Sequence, residues 1–498
     1  MDDSSPLILG LSGSLRNSRF GSGSRALVTQ LMGCKTQSEM TALLRDEGAF
    51  CVREFIDAGR NKGLSFDEIY RNYQRRRGER GLSNTEVALA AGLWGAMCSG
   101  ARVEHLSLES VFGDKARLAQ LDELREKLLR ASGVLLSGPV YFGDRGSLAE
   151  DFIHFVRTDS ELRQHLQSLS VKKAYAGISV GAKRNGGQET NLIYQMLDMA
   201  VSGFLAVGND ARSTSQYGGT GWAGDVGTMA EDGYGLETAI GAGRRLGEVT
   251  ALIGAGQAVA ARRKPKIAVW ILQDKDQIAR NAIENSLFHD SIREKAEIGI
   301  FDFTGQAPRR CIACDICPTE SGPDEVYRCV IKSPDDLFSN FHQDLLGFDG
   351  IVIAGYSAQD TSKVCSVYQR FIERTRYLRR GDYALSNALV MPLVFEEVGA
   401  RDSLNLRMLT SMIRHHTILT KPVTVSIWQG ECLNIGQASD GVLEFIADCC
   451  SLVAGKDQLQ NGPGLSEYNP VGYEISAEKL RQHSGKKQPK DITVLQPG

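Results

Sequence analysis

Three groups of residues in this sequence have the chemistry to bind a small anionic ligand. The first is a loop rich in serine and glycine, at residues 12–24, which follows the apolar run 7–11 and precedes a helical pattern. Hydroxyl groups, free backbone N–H groups and the positive end of a helix together bind phosphate. Arg16 can add a charge-assisted hydrogen bond to the same anion. The loop lacks the Gly-Lys-Ser/Thr ending of a Walker loop, so we expect a different type of phosphate site.

The other two groups follow later strands of the expected sheet. Residues 138–143 read Gly-Pro-Val-Tyr-Phe-Gly and follow the apolar run 133–137, and residues 183–190 contain Asn-Gly-Gly and follow the run 174–180. An aromatic pair can pack on a flat ring, and the amides of an Asn-Gly-Gly turn can hydrogen-bond to the polar edge of that ring. Ligands of open α/β sheets bind at the carboxyl ends of strands. Each loop alone is compatible with an ordinary turn, but the three in this order predict a small-ligand site.

The order of elements predicts an α/β fold. Apolar strands alternate with helical patterns, which is typical of a parallel sheet covered on both faces. The same alternation begins again near residue 266, so we expect two doubly wound parallel-sheet domains in tandem. Residues 36–100 contain two capping boxes, Ser65 with Glu68 and Ser83 with Glu86, and predict a helical insertion that acts as a lid or a dimer contact. The expected boundaries are 1–262 for the first domain including the insertion at 36–100, 263–455 for the second, and 456–498 for a polar tail.

These motifs resemble those of the NADPH-dependent FMN reductase family, a flavodoxin-like group. The Gly-Ser-x-Arg loop of that family, which ends in a serine, is matched by Gly-Ser-Leu-Arg-Asn-Ser at residues 13–18, its aromatic loop at 138–143 and its Arg-Asn-Gly-Gly-Gln-Glu-Thr turn at 184–190. The resemblance covers the first half of the chain outside the insertion. It implies a flavodoxin-like fold and one FMN in this half, reduced by hydride from NAD(P)H. No side chain has to act as an acid or base in that first half-reaction, so no catalytic residue is expected.

The resemblance also implies which residues contact FMN. Either Ser22 or Ser24 would make the last phosphate contact, because Arg19-Phe20-Gly21 lengthens the loop. The implied contacts to the phosphate are Ser12, Ser14, Arg16, Ser18 and Ser24; those to the isoalloxazine ring are Pro139, Val140, Tyr141, Phe142 and Gly143; and those to the flavin from the third loop are Asn185, Gly186 and Gly187.

Four cysteines in the second half form a candidate metal site. Cys311, Cys314 and Cys317 have Cys-x2-Cys-x2-Cys spacing, and Cys329 follows after eleven intervening residues. Three close thiolates and a distant fourth suit a [4Fe–4S] cluster, and four thiolates also suit zinc. A third interpretation is a loop without metal, because many flavin reductases carry a similar cysteine-rich loop before a Cys-Val-Ile-Lys segment. Iron–sulfur flavoproteins of the superfamily have a tighter final spacing.

The second half lacks the residues of a flavin site. Its first strand is followed by Gln273-Asp274-Lys275-Asp276-Gln277, where an anionic phosphate would meet Asp274 and Asp276 instead of hydroxyl groups. We therefore predict a degenerate copy that has lost FMN and that carries the cysteine cluster, shapes a substrate pocket or forms an interface.

Composition and charge limit which binding partners and which cellular location the sequence predicts. The net charge of −3 predicts no nucleic-acid or membrane partner, and the acidic N-terminus does not resemble a signal peptide, so we expect a cytoplasmic protein. We also expect a homo-oligomer. The first functional hypothesis is an FMN-dependent NAD(P)H oxidoreductase that reduces a small acceptor such as a quinone, a nitro compound or flavin. The alternatives are an iron–sulfur flavoprotein that passes single electrons to a redox protein partner, and a non-enzymatic flavin-binding sensor.

Overall fold

The structure is a computed structural model of the 498-residue chain. It describes residues 5–48, 52–75, 81–113, 118–167, 172–212, 215–224, 227–257, 259–306, 308–314, 317, 327, 329–360, 362–379, 383–400 and 403–459. The predicted polar tail lies outside these residues from position 460 onward. Within the described ranges, no helix combines the length and the apolar character that crossing a membrane requires.

The first half of the chain contains seven strands and eleven α-helices within the described residues. The strands are β1 (Leu7–Ser12), β2 (Arg102–Ser107), β3 (Gly133–Tyr141), β4 (Asp144–Arg145), β5 (Ala174–Gly181), β6 (Leu205–Ala206) and β7 (Gly219–Trp222). The helices are α1 (Ser22–Gly33), α2 (Gln37–Gly48), α3 (Val52–Asn61), α4 (Phe66–Arg75), α5 (Asn84–Cys98), α6 (Leu108–Phe112), α7 (Leu118–Arg130), α8 (Ser147–Thr158), α9 (Ser160–Gln167), α10 (Gln188–Val201) and α11 (Gly233–Gln257).

The second half repeats the alternation of strands and helices. Its strands are β8 (Lys266–Ile271), β9 (Glu297–Asp302), β10 (Gly350–Ser357), β11 (Leu389–Glu397), β12 (Ile418–Leu419), β13 (Val423–Trp428) and β14 (Glu431–Cys432). Its helices are α12 (Ile278–Ala282), α13 (Asp290–Arg293), α14 (Leu337–Asn340), α15 (Ser362–Arg374), α16 (Arg376–Arg379), α17 (Leu404–Met412) and α18 (Ile435–Gln458).

One mixed sheet runs through both halves. In the first half the order is β2-β1-β3-β5-β6, and these strands are parallel. In the second half the order is β9-β8-β10-β11-β12, again with parallel neighbours. Both runs have the 2-1-3-4-5 order of flavodoxin-like sheets. The α/β class predicted from the sequence is confirmed, and the repeated order is consistent with the predicted tandem.

The two halves meet at the centre of the sheet. Ala206 of β6 pairs with Leu419 of β12 in antiparallel register, so the strands of the two halves run in opposite directions. Next to this junction, helix α11 crosses helix α18 with the two backbones in close contact. A methyl group at Gly256 would lie 1.9 Å from the carbonyl oxygen of Ser451, and one at Gly455 would lie 2.0 Å from that of Leu252. The matching contacts on the two helices indicate a pseudo-twofold axis between the halves.

A buried arginine forms hydrogen bonds across the same junction. Arg245 on α11 is 1% exposed and donates to the side-chain oxygen of Asn387 at 2.7 Å and to the backbone oxygen of His416 at 2.8 Å. Both acceptors belong to the second half. Because an unpaired buried guanidinium is costly, these bonds fix how the halves sit against each other.

Helix α5 lies within the region that was expected to be an insertion, yet it packs on the sheet. Residues 85–96 of this helix are buried on every side, and the helix contacts β1, β3, β5 and α11. It leads directly into β2 and therefore acts as the crossover between the first two strands. The capping boxes predicted at Ser65 with Glu68 and at Ser83 with Glu86 are confirmed.

Candidate functional site

The serine-rich loop connects β1 to α1 at the carboxyl edge of the sheet. Its backbone is tied to the neighbouring strand, because Gly13 donates its N–H to the oxygen of Ser137 at 2.8 Å. The loop turns tightly at Ser14, whose backbone oxygen accepts from the N–H of Asn17 at 3.2 Å. Gly21 precedes the helix with a φ of 51°, a backbone conformation that favours glycine. The N-terminus of α1 therefore points toward the loop, as the phosphate hypothesis requires.

The predicted phosphate contacts fall into two groups in the structure. Ser12, Ser18 and Ser24 are buried, and their hydroxyl groups bond to protein atoms. Ser14 is half-buried and Arg16 is exposed on the outer face of the loop. The outer pair is thus placed to meet a ligand, and the buried three hold the loop in shape.

Asn17 and His105 form the internal support of this loop, and sequence reasoning missed both. The Asn17 amide donates to the backbone oxygen and the hydroxyl of Ser12, each at 2.8 Å. The His105 ring contacts the hydroxyl of Ser12 at 3.0 Å and that of Ser24 at 2.9 Å. Burial, with a smaller effect from nearby Arg19, lowers the pKa of His105 to about 4. The ring is therefore neutral near pH 7 and bridges the two hydroxyl groups without adding charge.

Glu86 of α5 occupies two amides of the loop. Its carboxylate accepts the backbone N–H of Ser18 at 3.0 Å and that of Arg19 at 2.9 Å, and it also accepts the N–H of Ser83 at 2.8 Å. Burial raises the pKa of Glu86, while these N–H donors act in the opposite direction. A phosphate on this loop would therefore be held by the outer turn at Ser14 and Arg16 and by the first turn of α1.

We expect Glu86→Ala to destabilise the protein by about 2–3 kcal/mol and to weaken ligand binding at the loop, because buried N–H groups would lose their acceptor. Urea unfolding followed by circular dichroism measures the first effect. Glu68→Ala is the matched control, since Glu68 forms the same capping box at Ser65 on the surface and its loss should cost under about 1 kcal/mol. Equal losses for the two variants would contradict the assigned role of Glu86.

The aromatic loop is a tight hairpin. Strand β3 continues to Tyr141 and turns through Phe142 and Gly143 into β4, with Val140 paired to Arg145. Phe142 and Gly143 have φ values of 53° and 84°, as two-residue hairpin turns require. Tyr141 is mostly exposed and Phe142 fully exposed. The hairpin therefore presents two aromatic rings at the sheet edge, with Pro139 and Val140 half-buried at its base.

The Asn-Gly-Gly turn lies directly against this hairpin. A methyl group at Gly187 would lie 2.6 Å from the Cα of Gly143, so only glycine permits the contact. Asn185 and Gly187 adopt positive φ values of 57° and 107°. The N–H of Gly186 donates to the side chain of Gln188 at 2.7 Å. The structure thus brings together the second and third loops, as the sequence predicted.

Arg184 anchors the turn from behind. Its guanidinium pairs with Asp232 and lies over the ring of Tyr234, with 4.8 Å between the guanidinium carbon and the ring centroid. Arg184, Asn185, Gly187 and residues 188–190 line a cleft of about 260 Å³ beside the hairpin. The three loops therefore lie along one edge of the sheet, at the carboxyl ends of β1, β3 and β5, where ligands of such sheets bind.

The corresponding edge of the second half is closed by its own carboxylates. Asp274 follows β8 and accepts the backbone N–H groups of Lys275 at 2.7 Å, Ala279 at 3.0 Å and Arg280 at 2.9 Å. It thereby occupies the start of α12, the place at which a phosphate would otherwise bind. Asp276 has a φ of 54° in the same turn.

Glu397 ties the three loops of the second half together. It accepts from the Lys275 ammonium at 2.8 Å, the Tyr356 hydroxyl at 2.7 Å and the backbone N–H of Gln359 at 3.1 Å. The Lys275 and Tyr356 bonds lower the pKa of Glu397 to about 2. The ion pair of Glu397 with Lys275 and its hydrogen bond with Tyr356 therefore link the loops where a flavin would lie, which supports the interpretation that this half has lost FMN.

The four cysteines of the candidate metal site share one surface segment but do not converge. Cys311, Cys314, Cys317 and Cys329 are all described and half-buried, and no three histidine, cysteine or acidic side chains among the described residues form a metal-holding group. The Cys311 sulfur accepts the N–H of Ala313 at 3.4 Å, and the Cys329 sulfur lies 4.0 Å from the Arg374 guanidinium. This arrangement of thiols does not fit a cluster or a zinc ion, and whether the loop binds metal stays a prediction.

Comparisons with known proteins also indicate similarity to flavoproteins. No protein-family model matches the sequence. The chain is 35% identical over 136 residues to an iron–sulfur flavoprotein of Methanocaldococcus jannaschii, which covers 27% of this chain and 66% of that protein. It is 29% identical over 134 residues to an iron–sulfur flavoprotein of Methanosarcina thermophila, which covers 27% of this chain and 63% of that protein. The chain therefore spans slightly less than two thirds of the length of these relatives.

Two solved structures are also similar to parts of the chain. A flavone reductase is 14% identical with a TM-score of 0.28, and the match covers 49% of this chain and 62% of that one. The Trp repressor binding protein from Bacillus subtilis is 18% identical with a TM-score of 0.25, and the match covers 33% of this chain and 92% of that one. From its sheet order the chain has a flavodoxin-like fold, and over 27% of its length it is similar to iron–sulfur flavoproteins.

Proposed function

We propose that this chain is a flavin-dependent oxidoreductase that binds one FMN on its first half. The observation that carries the proposal is the meeting of the three loops at one edge, with exposed Tyr141 and Phe142 beside the Asn185–Gly187 turn. The names of the iron–sulfur flavoprotein relatives support a flavin cofactor. NAD(P)H would supply the electrons, and a quinone, a nitro compound or free flavin would receive them.

Each loop would have a distinct part in holding FMN. Ser14, Arg16 and the N-terminus of α1 would bind the phosphate, and Ser22 at the start of α1 is exposed and can contribute its hydroxyl in place of the buried Ser24. Tyr141 and Phe142 would pack against the ring. The Asn185–Gly187 turn would face its polar edge with the Gly186 N–H already bonded to Gln188, and unbonded backbone N–H groups at such an edge stabilise developing negative charge. When bound, FMN supplies the hydride and electron chemistry, and the protein positions it.

We expect Ser14→Ala combined with Arg16→Ala to weaken FMN binding at least about tenfold, because charge-assisted hydrogen bonds to the phosphate would be lost. Flavin absorbance of the purified protein and fluorescence titration with FMN measure the loss. Arg163→Ala removes an exposed arginine from α9 and serves as the control. Unchanged FMN occupancy in the double variant would mean that the phosphate binds elsewhere.

Anaerobic reduction tests the electron donor. Addition of NADH or NADPH should bleach the flavin absorbance of the holoprotein, and quinone or a nitro compound should restore it. A flavin that stays oxidised with both nucleotides would favour the sensor hypothesis over the oxidoreductase.

A second candidate is an iron–sulfur flavoprotein that passes single electrons to a redox protein partner. The names of the curated relatives and the spacing of Cys311, Cys314, Cys317 and Cys329 favour it. It requires the four thiols to move together from the arrangement described above. Stoichiometric iron with a broad absorbance shoulder near ~400 nm in anaerobically purified protein would support this second candidate. Flavin bands without iron would favour the first proposal instead.

A further inference from the structure

A large arginine-lined cleft lies outside the flavin edge, at the junction of the two halves. Its volume is about 780 Å³. Helices α15, α16 and α17 of the second half form most of its wall, and Tyr217 comes from the first half. Its polar lining includes Arg376, Arg379, Arg407, Arg414, Tyr217 and Tyr368.

Two arginines of this cleft, Arg407 and Arg414, face it without a carboxylate partner among the described residues. Of the described residues that line it, only Glu373 is acidic, and the side chain of Gln369 donates to that carboxylate at 3.1 Å. Arg407 and Arg414 are exposed and form no ion pair with any described residue. The guanidinium groups of Arg407 and Arg414 therefore carry positive charge into the cleft, and a multiply charged anion would compensate it. Planar guanidinium groups bind phosphate through paired hydrogen bonds.

His415 adds an unused polar atom to the cleft wall. Its Nε2 contacts the hydroxyl of Thr375 at 2.9 Å, whereas its buried Nδ1 has no hydrogen-bond partner within the described part of the chain. Burial, together with Arg379 and Arg414, lowers the pKa of His415 to about 3. The ring is therefore neutral near pH 7 and adds no positive charge to the cleft wall.

The cleft faces the same edge of the sheet as the flavin loops. Helices α15 and α17 run back from the carboxyl ends of β10 and β11, so they end at the amino edge of the second half. Because the halves are antiparallel, this edge continues the carboxyl edge of the first half. Tyr217 of the first half lines the arginine cleft and so connects the cleft with this edge. Burial raises its pKa, and the nearby charges that act on it are Arg414, Glu189 and Arg379. Glu189 also lines the cleft beside the Asn-Gly-Gly turn.

We propose that this arginine cleft binds the diphosphate group of a nucleotide. Two kinds of ligand would supply this diphosphate group. One is a nicotinamide dinucleotide, which would lie on the same edge as the flavin; this case rests on the proposed function. The other source is a nucleoside di- or triphosphate that does not react. In either case the second half, which lacks a flavin site, supplies a phosphate site to the first half.

Calorimetric titration of the FMN-loaded full chain with inorganic pyrophosphate tests the site directly. We expect Arg407→Gln combined with Arg414→Gln to weaken pyrophosphate binding at least about tenfold, since each lost charge-assisted hydrogen bond is a large part of a phosphate contact. Arg163→Gln is the control, because it removes an exposed arginine from α9. Binding should also weaken as the salt concentration rises. Absence of pyrophosphate binding, or equal affinity in the double variant and the control, would overturn the proposal.

Flavin reduction separates the two sources. If the ligand is a nicotinamide dinucleotide, the double variant should show a raised KM for it and a nearly unchanged kcat, with unchanged FMN occupancy. If the ligand is a nucleoside phosphate, ADP or ATP should compete with pyrophosphate while the KM for NAD(P)H stays constant. Failure of NAD(P)H to reduce the wild-type flavin would reject the proposed function, and the pyrophosphate titration would still decide whether the cleft binds phosphate.

Discussion

Gly243→Val is expected to prevent the chain from folding, because α5 and α11 touch backbone to backbone at this position. A Cβ atom on Gly243 would lie 1.7 Å from the carbonyl oxygen of Gly92. On the facing helix, a Cβ atom on Gly95 would lie 2.2 Å from the oxygen of Ile240. Backbone atoms cannot yield as a side chain can, so the helices must separate.

Separation of these helices would open the core of the first half. Helix α5 contacts three central strands of the sheet, and α11 also crosses α18 of the second half. We therefore expect a loss above about 4 kcal/mol, which is the range of severe core substitutions. The measurements are the yield of folded protein and its urea midpoint.

Gly254→Ala is the matched control on the same helix. No heavy atom lies within 4 Å of its ideal Cβ position. An alanine there should stabilise α11 by about 0.5–1 kcal/mol, because glycine is a poor helix former. If Gly243→Val folded as well as Gly254→Ala, the close crossing of α5 and α11 would be wrong.

The fate of α5 shows what the sequence could and could not predict. Its capping box, Ser83 with Glu86, was visible as a local pattern and is confirmed. Its place on the sheet was not, because the segment stood inside a long, mostly helical connection. A helix that is apolar all round is typical of a buried one. The small residues Gly92 and Gly95 were the overlooked signal that another backbone approaches closely.

The strands also differ in how well the sequence alone predicts them. Continuous apolar runs such as 133–137 and 266–271 predicted β3 and β8, and the short run 204–207 predicted β6. The two-residue strand β12 carries almost no such signal, yet its antiparallel pairing with β6 joins the halves into one sheet. That pairing depends on the packing of α11 against α18, which no short stretch of sequence encodes.

At the candidate site, the sequence predicted the loops and missed their supports. Local signals sufficed for the hairpin at Phe142 and Gly143 and for the Asn-Gly-Gly turn. The partners of the phosphate loop are distant in the chain, since Glu86 lies 68 residues from Ser18 and His105 lies 93 residues from Ser12. Only the fold brings them together, and they decide which serines remain accessible to a ligand.

Asp336→Ala is expected to destabilise the second half by about 3–5 kcal/mol, because it would leave the buried guanidinium of Arg374 without its partner. Asp336 and Arg374 have side chains that are 0% and 1% exposed. The guanidinium donates to both carboxylate oxygens at 2.9 Å and to the backbone oxygen of Arg309 at 3.0 Å. The carboxylate also accepts the N–H of Ser339 at 3.2 Å at the start of α14.

The neighbouring Asp335→Ala provides the control in the same loop. Asp335 pairs with Arg309 on the surface, where its side chain is 71% exposed, so its loss should cost under about 1 kcal/mol. Urea unfolding compares the two variants. Thiol labelling adds a local measurement, since the Cys329 sulfur lies 4.0 Å from Arg374 and should react faster only in Asp336→Ala. Equal stability and equal labelling in both variants would show that the buried pair does not hold the cysteine segment in place, and the cysteine segment would then need another anchor.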